Sequence, residues 1–184
     1  MKEPAEKLFI DANTLLLESF RLARKIWDDG YHPDFLVTLW RGGTPVGCAI
    51  HEFFKYKGQD PFHTTIITRS YIDFKQTGKV EIRGMEHIIE IVSPKDRLLF
   101  IDDVFDSGTT FQEVLKVFKE RVGENLPEVR IATVFYKPDK NETDIKPDYY
   151  MREDDRWIIF PHELDGISSE ELDKKGRDVA EIIR

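Results

Sequence analysis

Short apolar segments alternate with helical periods along most of this chain, and that alternation restricts the fold more than any other feature. Four segments have the length and β-branched content of buried strands: FLVTL at 35–39, TTIIT at 64–68, LLFID at 98–102 and RIATVFY at 130–136. Strands that are apolar throughout and separated by helices predict an α/β fold, with a mainly parallel sheet covered by helices on both faces. Ligands of such folds bind beyond the carboxyl ends of the strands.

The spacing of apolar residues also places helices. A helix is predicted from 13 to 29, with Asn13 as its N-cap, Gly30 as its stop and apolar positions at Leu16, Phe20, Ala23 and Trp27. A second apolar helical face follows the third strand and comprises Phe111, Val114, Leu115, Phe118 and Val122. Near the C-terminus, Ser168 and Glu171 form a capping-box pattern, which predicts a final helix.

We predict one domain, 1–184, because 184 residues suit a single core. The core is expected at about 31–138. The polar segment at about 69–86 contains a Thr-Gly turn signal, which predicts a flexible flap. The segment at about 139–168 surrounds the aromatic stretch WIIFPHE with Asp, Pro and Lys, which predicts a small hood to which the N-terminus could contribute.

Composition narrows the classes of partner. A net charge of −8 disfavours a large nucleic-acid footprint, since phosphate backbones are bound mainly by clustered Lys and Arg. No apolar run approaches the ~20 residues that span a bilayer, and the first residues lack the apolar stretch of a signal peptide, so we expect a cytoplasmic protein without a membrane partner. The single cysteine, Cys48, excludes an internal disulfide, and its apolar neighbours predict a small core residue.

The segment LLFIDDVFDSGTT, at 98–110, combines a carboxylate-rich strand end with a small-residue loop that suits an anion. Asp102 and Asp103 fall at the carboxyl end of the predicted strand, and the loop from Asp106 to Thr110 turns into the next helix. A phosphate at a helix N-terminus gains backbone N–H donors, hydroxyl donors and up to ~2 kcal/mol from the helix dipole. The aspartates must therefore serve another part of the ligand.

A phosphorylated sugar satisfies both halves of this segment. Carboxylates accept hydrogen bonds from adjacent sugar hydroxyls, and a Mg²⁺ ion held between hydroxyls and a polyphosphate would offset the negative charge. Aspartates at strand ends also occur in response-regulator receivers and metal-dependent phosphatases, or simply cap helices. A P-loop ATPase is disfavoured, because the chain contains no G-x-x-x-x-G-K-[ST] motif.

The same segment resembles the phosphoribosyl-pyrophosphate (PRPP) signature of type I phosphoribosyltransferases, which implies their Rossmann-like core with a hood. By this resemblance, Asp102 and Asp103 bind the ribose hydroxyls of PRPP. Asp106 lies near the purine N7 as the catalytic residue. The 5-phosphate is bound by the loop residues Asp106, Ser107, Gly108, Thr109 and Thr110.

Other segments resemble the purine branch of that family. The loop WRGGTP matches the pyrophosphate-binding loop, which implies backbone contacts from Arg41, Gly42 and Gly43. The pair Ser70 and Tyr71 resembles the closing lid of the hypoxanthine and guanine enzymes. On local grounds, a polar hairpin explains that pair equally well.

Lys137, in YKP, matches the lysine that contacts the six-position oxygen of the purine. A lysine ammonium only donates hydrogen bonds, so it can pair with a 6-oxo group but would meet the 6-amino group of adenine donor to donor. We therefore expect 6-oxopurines as substrates rather than adenine. A solvated lysine at a strand end is the ordinary structural alternative.

WIIFPHE resembles the segment that covers the base in bacterial xanthine-guanine enzymes. The resemblance implies that Trp157 stacks on the purine, that Ile158 offers backbone groups, and that Glu163 assists Mg²⁺ together with Asp102 and Asp103. None of the five histidines forms a metal-like cluster in sequence, so His162 is interpreted as structural or exposed.

The resemblance implies a Mg²⁺-dependent purine-salvage transferase that joins hypoxanthine, guanine or xanthine to PRPP. Relatives assemble as dimers or tetramers, so a homo-oligomer is expected. The main alternative is a non-catalytic regulator that senses PRPP or nucleotides with the same fold. A transferase for another base, such as a pyrimidine, is a weaker third hypothesis, because Lys137 and Trp157 suit a purine.

Overall fold

The structure, a computed structural model, describes residues 6–70 and 80–184 and builds them around a six-stranded sheet. The strands are β1 Lys7–Phe9, β2 Phe35–Trp40, β3 Phe62–Ser70, β4 Val80–Arg83, β5 Arg97–Phe105, β6 Glu128–Tyr136, β7 Tyr149–Glu153 and β8 Trp157–Ile159. The helices are α1 Ala12–Asp28, α2 Gly43–Tyr56, α3 Glu86–Ile91, α4 Thr109–Val122 and α5 Arg177–Ile183. Short 3₁₀ turns cover Gly123–Asn125, Pro138–Lys140 and Glu171–Lys175.

The main sheet has the strand order β4-β3-β2-β5-β6-β7, and only β4 runs antiparallel to its neighbour. The four strands predicted from sequence are β2, β3, β5 and β6, and all four are confirmed. A separate parallel pair, β1 with β8, joins the N-terminal segment to the region after 139. The predicted α/β fold with a mainly parallel sheet is therefore confirmed.

Two apolar clusters cover opposite faces of this sheet, because successive strand residues point to opposite sides. On one face, Leu36, Leu99 and Ile101 pack with residues of α1 and α2. On the other, Val37 and Phe100 pack with residues of α3 and α4. The central strands β2 and β5 are thus buried on both faces, which explains why their sequences are apolar without alternation.

Helix α1 differs in detail from the sequence prediction. Its N-cap is Asp11, whose carboxylate accepts a hydrogen bond from the Thr14 amide at 2.9 Å, so the prediction of Asn13 as the cap was wrong. Leu16 is 46% exposed, whereas the neighbouring Leu15 is buried. The predicted apolar face was therefore only partly right, since Ala23 is buried as expected.

The fold tests two further predictions, the burial of Cys48 and the capping box of Ser168 and Glu171. Cys48 is exposed, so the prediction of a core residue was wrong; its neighbours Gly47 and Ala49 face the core while Cys48 points away from it. The capping box is confirmed, because the Glu171 amide donates to Ser168 Oγ and the Ser168 amide donates to Glu171 Oε2.

The predicted flap begins as a hairpin. Strands β3 and β4 pair antiparallel, with Ser70 opposite Val80. The Thr-Gly turn and Tyr71 lie outside the described residues, so the lid remains a prediction. Within the described ranges, no helix is long and apolar enough to cross a membrane.

The core makes a stability prediction at Phe118. This side chain is fully buried and meets Phe100 edge to face, with ring centroids 5.6 Å apart. Replacing it in Phe118→Ala removes the aromatic contact and leaves a cavity, so we expect the free energy of unfolding to fall by ~3–5 kcal/mol. Urea unfolding measures this loss. Phe20→Ala is the matched control, since Phe20 is 37% exposed, and its cost should stay below ~1 kcal/mol; equal losses in the two variants would contradict the prediction.

Candidate active site

The carboxyl ends of β2, β5 and β6 meet at one edge of the sheet, because these three strands are parallel neighbours. Three loops leave from that edge: 41–43 after β2, 106–108 after β5, and 137 onward after β6. The segments WRGGTP, DSGTT and YKP therefore converge, and β3, from which the predicted flap starts, ends at the same edge because it is parallel to β2. The convergence results from the pairing of these strands in the sheet. The spacing of the segments along the sequence does not reveal that pairing.

The loop after β5 forms a small cradle at the N-terminus of α4. Gly108 has a left-handed backbone with φ of +80°, and a Cβ atom there would lie 2.5 Å from Thr143 Oγ1. The hydroxyls of Ser107 and Thr109 are 2.8 Å apart. The Glu142 amide donates to the Ser107 carbonyl at 2.9 Å, which ties the cradle to the segment after β6. Backbone and hydroxyl donors here suit a phosphate.

The acidic pair lies beside this cradle. The Asp103 side chain is buried, and its amide donates to Asp102 Oδ1 at 3.0 Å. Burial, and then the adjacent Asp103 carboxylate, raise the pKa of Asp102 well above its usual value. Two carboxylates held this closely favour a proton, a cation or hydroxyl donors between them.

His162 joins this acidic pair, which the sequence did not predict. Its Nε2 atom lies 3.3 Å from Asp103 Oδ2, and its ring stacks on Phe160 with centroids 5.7 Å apart. The interpretation of His162 as structural or exposed therefore missed a contact with the site. The contact joins residues 59 positions apart, and only its place in WIIFPHE linked it to the site beforehand.

Two glycines bring the loop after β2 against the end of β5. A Cβ on Gly42 would overlap the Asp103 carboxylate, and a Cβ on Gly43 would overlap the Ile101 carbonyl. Arg41 is exposed, and a cis peptide joins it to Trp40. The loop predicted to bind pyrophosphate is thus in direct contact with the acidic pair, and only glycine allows that approach.

Lys137 and Asp106 form an ion pair between the ends of β6 and β5. Lys137 Nζ lies 2.6 Å from Asp106 Oδ2, and the Lys137 side chain is nearly buried whereas that of Asp106 is about half exposed. A backbone bond from the Lys137 amide to the Phe105 carbonyl, 2.9 Å long, fixes the two loops together. The residues predicted to contact the six-position oxygen and N7 of a purine are therefore neighbours.

A cavity of about 450 Å³ continues from Lys137 toward the hood. It is lined by Glu6, Lys137, Lys140, Asp155, Arg156 and Trp157. Trp157 is 58% exposed on this cavity, whereas Ile158 points into the core. An exposed indole beside a buried ammonium offers a surface for a planar ring, although stacking by Trp157 and backbone contacts from Ile158 stay predictions.

The described residues do not contain three His, Cys, Asp or Glu side chains converging as a metal site. The Glu163 carboxylate accepts a hydrogen bond from the Phe160 amide at 3.0 Å, so it stabilises its own turn. The predicted metal set of Asp102, Asp103 and Glu163 is therefore not preassembled. Any Mg²⁺ ion would need oxygen ligands from its substrate or from water, as this ion commonly does.

The chain belongs to the phosphoribosyl transferase domain family, whose model matches residues 10–165. Its relatives are purine enzymes. The hypoxanthine-guanine phosphoribosyltransferase of Cricetulus griseus is 23% identical over 154 residues, covering 80% of this chain and 68% of its own. The enzyme of the same name from Streptococcus agalactiae is 24% identical over 151 residues, covering 81% of this chain and 79% of its own.

Solved structures show the same fold. The purine phosphoribosyltransferase of Pyrococcus horikoshii matches with a TM-score of 0.68 and 25% identity, covering 88% of this chain and 97% of its own. A Neisseria gonorrhoeae protein crystallised with ppGpp matches with a TM-score of 0.73 and 21% identity, covering 99% of both chains. The match to the Neisseria gonorrhoeae protein shows a shared fold only.

The acidic pair predicts a pH-dependent stability. Because burial and Asp103 raise the pKa of Asp102, the folded protein retains this proton to higher pH than the unfolded chain does, so its stability falls as pH rises above about 3.8, the ordinary pKa. Asp102→Asn should therefore raise the free energy of unfolding at pH 7, and the gain should shrink toward pH 4.

Urea unfolding of both proteins across that pH range measures the effect. Asp144→Asn removes a charge from an exposed residue and is the matched control, for which we expect no comparable gain. An Asp102→Asn variant less stable than the parent at pH 7 would show that the two carboxylates do not oppose each other.

Proposed function

We propose that this protein is a purine-salvage transferase that converts a 6-oxopurine and PRPP into the nucleoside 5′-monophosphate and pyrophosphate. The observation that best supports this proposal is the Lys137–Asp106 ion pair. Asp106 is also the first residue of the loop 106–110, whose amides and hydroxyls suit a phosphate. That arrangement puts groups suited to a purine edge next to groups suited to a sugar phosphate. Family membership and purine-enzyme relatives support the same proposal.

Each part of PRPP has a counterpart in the proposal. The 5-phosphate would occupy the cradle of Ser107, Gly108, Thr109 and Thr110, where amides and hydroxyls donate. The ribose hydroxyls would donate to Asp102 and Asp103, since ionised carboxylates only accept. The pyrophosphate would lie along the backbone of Arg41, Gly42 and Gly43, and the missing Cβ atoms of the two glycines let this loop lie directly against the end of β5.

Chemistry at the base follows from the side chains near it. N9 of the purine attacks C1 of the ribose as the bond from C1 to pyrophosphate breaks, and Asp106 would accept a proton at N7. Lys137 would donate to the 6-oxo group. Adenine would present its amino group to this donor, and such a mismatch can cost up to ~10⁴ in specificity.

The acidic pair fits a divalent cation, since burial and the nearby Asp103 carboxylate raise the pKa of Asp102, and a positive charge would stabilise the ionised pair. Mg²⁺, when bound, would neutralise the departing pyrophosphate. Asp102 and Asp103 would hold it, directly or through ribose hydroxyls and water, while Glu163 stays on the Phe160 amide. A cytoplasmic location and a homo-oligomeric state stay predictions.

The first experiment offers hypoxanthine, guanine, xanthine and adenine separately to purified protein with PRPP and Mg²⁺, and follows nucleotide formation by absorbance. We expect turnover of a 6-oxopurine, at least about 10²-fold slower turnover of adenine, and loss of activity with EDTA. PRPP binding without turnover of any base would favour the regulatory alternative. Absence of PRPP binding would contradict both.

Asp106→Asn tests the proposed proton acceptor. The amide cannot accept a proton from the base, so kcat should fall by roughly 10²–10⁴ while the fold is retained. Steady-state kinetics with the preferred 6-oxopurine measure the change, and Asp144→Asn controls for the lost charge. A kcat within threefold of the parent would remove the proton-transfer role from Asp106.

A further inference from the structure

The cavity beside Lys137 is lined by charged side chains of both signs, and two ion pairs involve these lining residues. Asp106 pairs with Lys137 at 2.6 Å. Arg156 pairs with Asp154 at 2.6 Å and with Glu6 at 3.1 Å. The bonds from Arg156 hold the pKa of Asp154 below its usual range, and the Lys137 charge contributes to that shift, so both ion pairs share one electrostatic environment.

A 6-oxopurine carries polar atoms in a fixed order: going round the base from N7, the next positions are the 6-oxo group, N1 and the substituent on C2. With Asp106 at N7 and Lys137 at the 6-oxo group, the C2 substituent lies at the end of the base farthest from Asp106. Arg156 and Glu6 line the same cavity as Lys137. Trp157 borders the same cavity and would support the ring from one face.

We propose that Glu6, held in place by Arg156, recognises the 2-amino group of guanine. This inference rests on the proposed function and extends it to the C2 position of the base. The Asp154 carboxylate already accepts several hydrogen bonds from Arg156, through its backbone amide and its guanidinium. Glu6 receives one guanidinium bond and its side chain is 76% exposed, so its carboxylate retains acceptor capacity for a ligand.

Guanine, xanthine and hypoxanthine differ in the group that they carry on C2, so each would interact differently with Glu6. Guanine offers an amino donor to the Glu6 carboxylate. Xanthine offers a 2-oxo acceptor, which the carboxylate repels, although Arg156 can donate to it. Hypoxanthine has only hydrogen at C2, so its reaction is independent of Glu6. Guanine is therefore favoured over xanthine, and hypoxanthine provides an internal reference.

The test compares kcat/KM for the three bases in the parent and in Glu6→Met, which keeps the length of the side chain but removes its acceptors. A hydrogen bond to a charged group is stronger than one between neutral groups, and the solvent exposure of Glu6 weakens it. We therefore expect guanine kcat/KM to fall about tenfold while hypoxanthine stays within about twofold. Retained hypoxanthine activity also demonstrates that the variant is folded.

A second variant, Glu6→Gln, replaces the charge with an amide that can also donate. The ratio of xanthine to guanine kcat/KM should rise at least about fivefold, because the repulsion of the 2-oxo group is removed. Glu124→Met, in the turn after α4 at the far end of that helix, is the matched control and should leave all three bases unchanged.

The outcomes are distinguishable. A guanine-to-hypoxanthine ratio that changes less than twofold in Glu6→Met would overturn the role of Glu6 and leave the purine transferase proposal intact. A parent that uses hypoxanthine but neither guanine nor xanthine would also overturn it. Absence of turnover with any purine in the parent would overturn the proposed function and this inference together.

Discussion

The site depends on the contact between Gly43 and the Ile101 carbonyl, in which the loop after β2 lies against the backbone of β5 without a Cβ between them. The parallel pairing of β2 with β5 brings the two strand ends side by side, and the glycines remove the last barrier to contact. A larger side chain at Gly43 would meet this backbone carbonyl and push the loop away from the carboxylates. The position of this loop therefore follows from a steric constraint in the sheet.

The carboxylates near that contact occur in two arrangements that differ in charge. Burial and the nearby Asp103 carboxylate raise the pKa of Asp102, so the ionised Asp102 side chain lowers the stability of the folded protein. Asp106, by contrast, is paired with Lys137. The first pair suits hydroxyl donors or a cation, whereas the second pair places an ammonium donor beside a carboxylate acceptor. In the proposed function, each arrangement serves a different part of the reaction.

Predictions from sequence succeeded where a local pattern has one physical meaning. The runs around Val37 and Phe100 are mainly apolar without alternation, which is typical of a strand buried on both faces, and the structure confirms both strands. Predictions from sequence failed where two neighbouring positions could take the same structural role. Asp11 and Asn13 are both good caps, and the register that buries Leu15 instead of Leu16 selected Asp11. Cys48 was predicted to be buried because its neighbours are apolar, but its position on the helix places it on the exposed side.

By itself, the sequence determined the order of strands and helices, the phosphate-type loop and the acidic strand end, because each depends on residues close together in the chain. Only the tertiary structure decided which side chains meet: Lys137 with Asp106, His162 with Asp103, and Glu6 with Arg156. The last pair spans 150 positions, and it forms because β1 adds to β8 as a parallel strand. Contacts of this kind depend on strand pairing and on the free energy of burying a common core. Every part of the chain contributes to that free energy, so no local segment can specify these contacts.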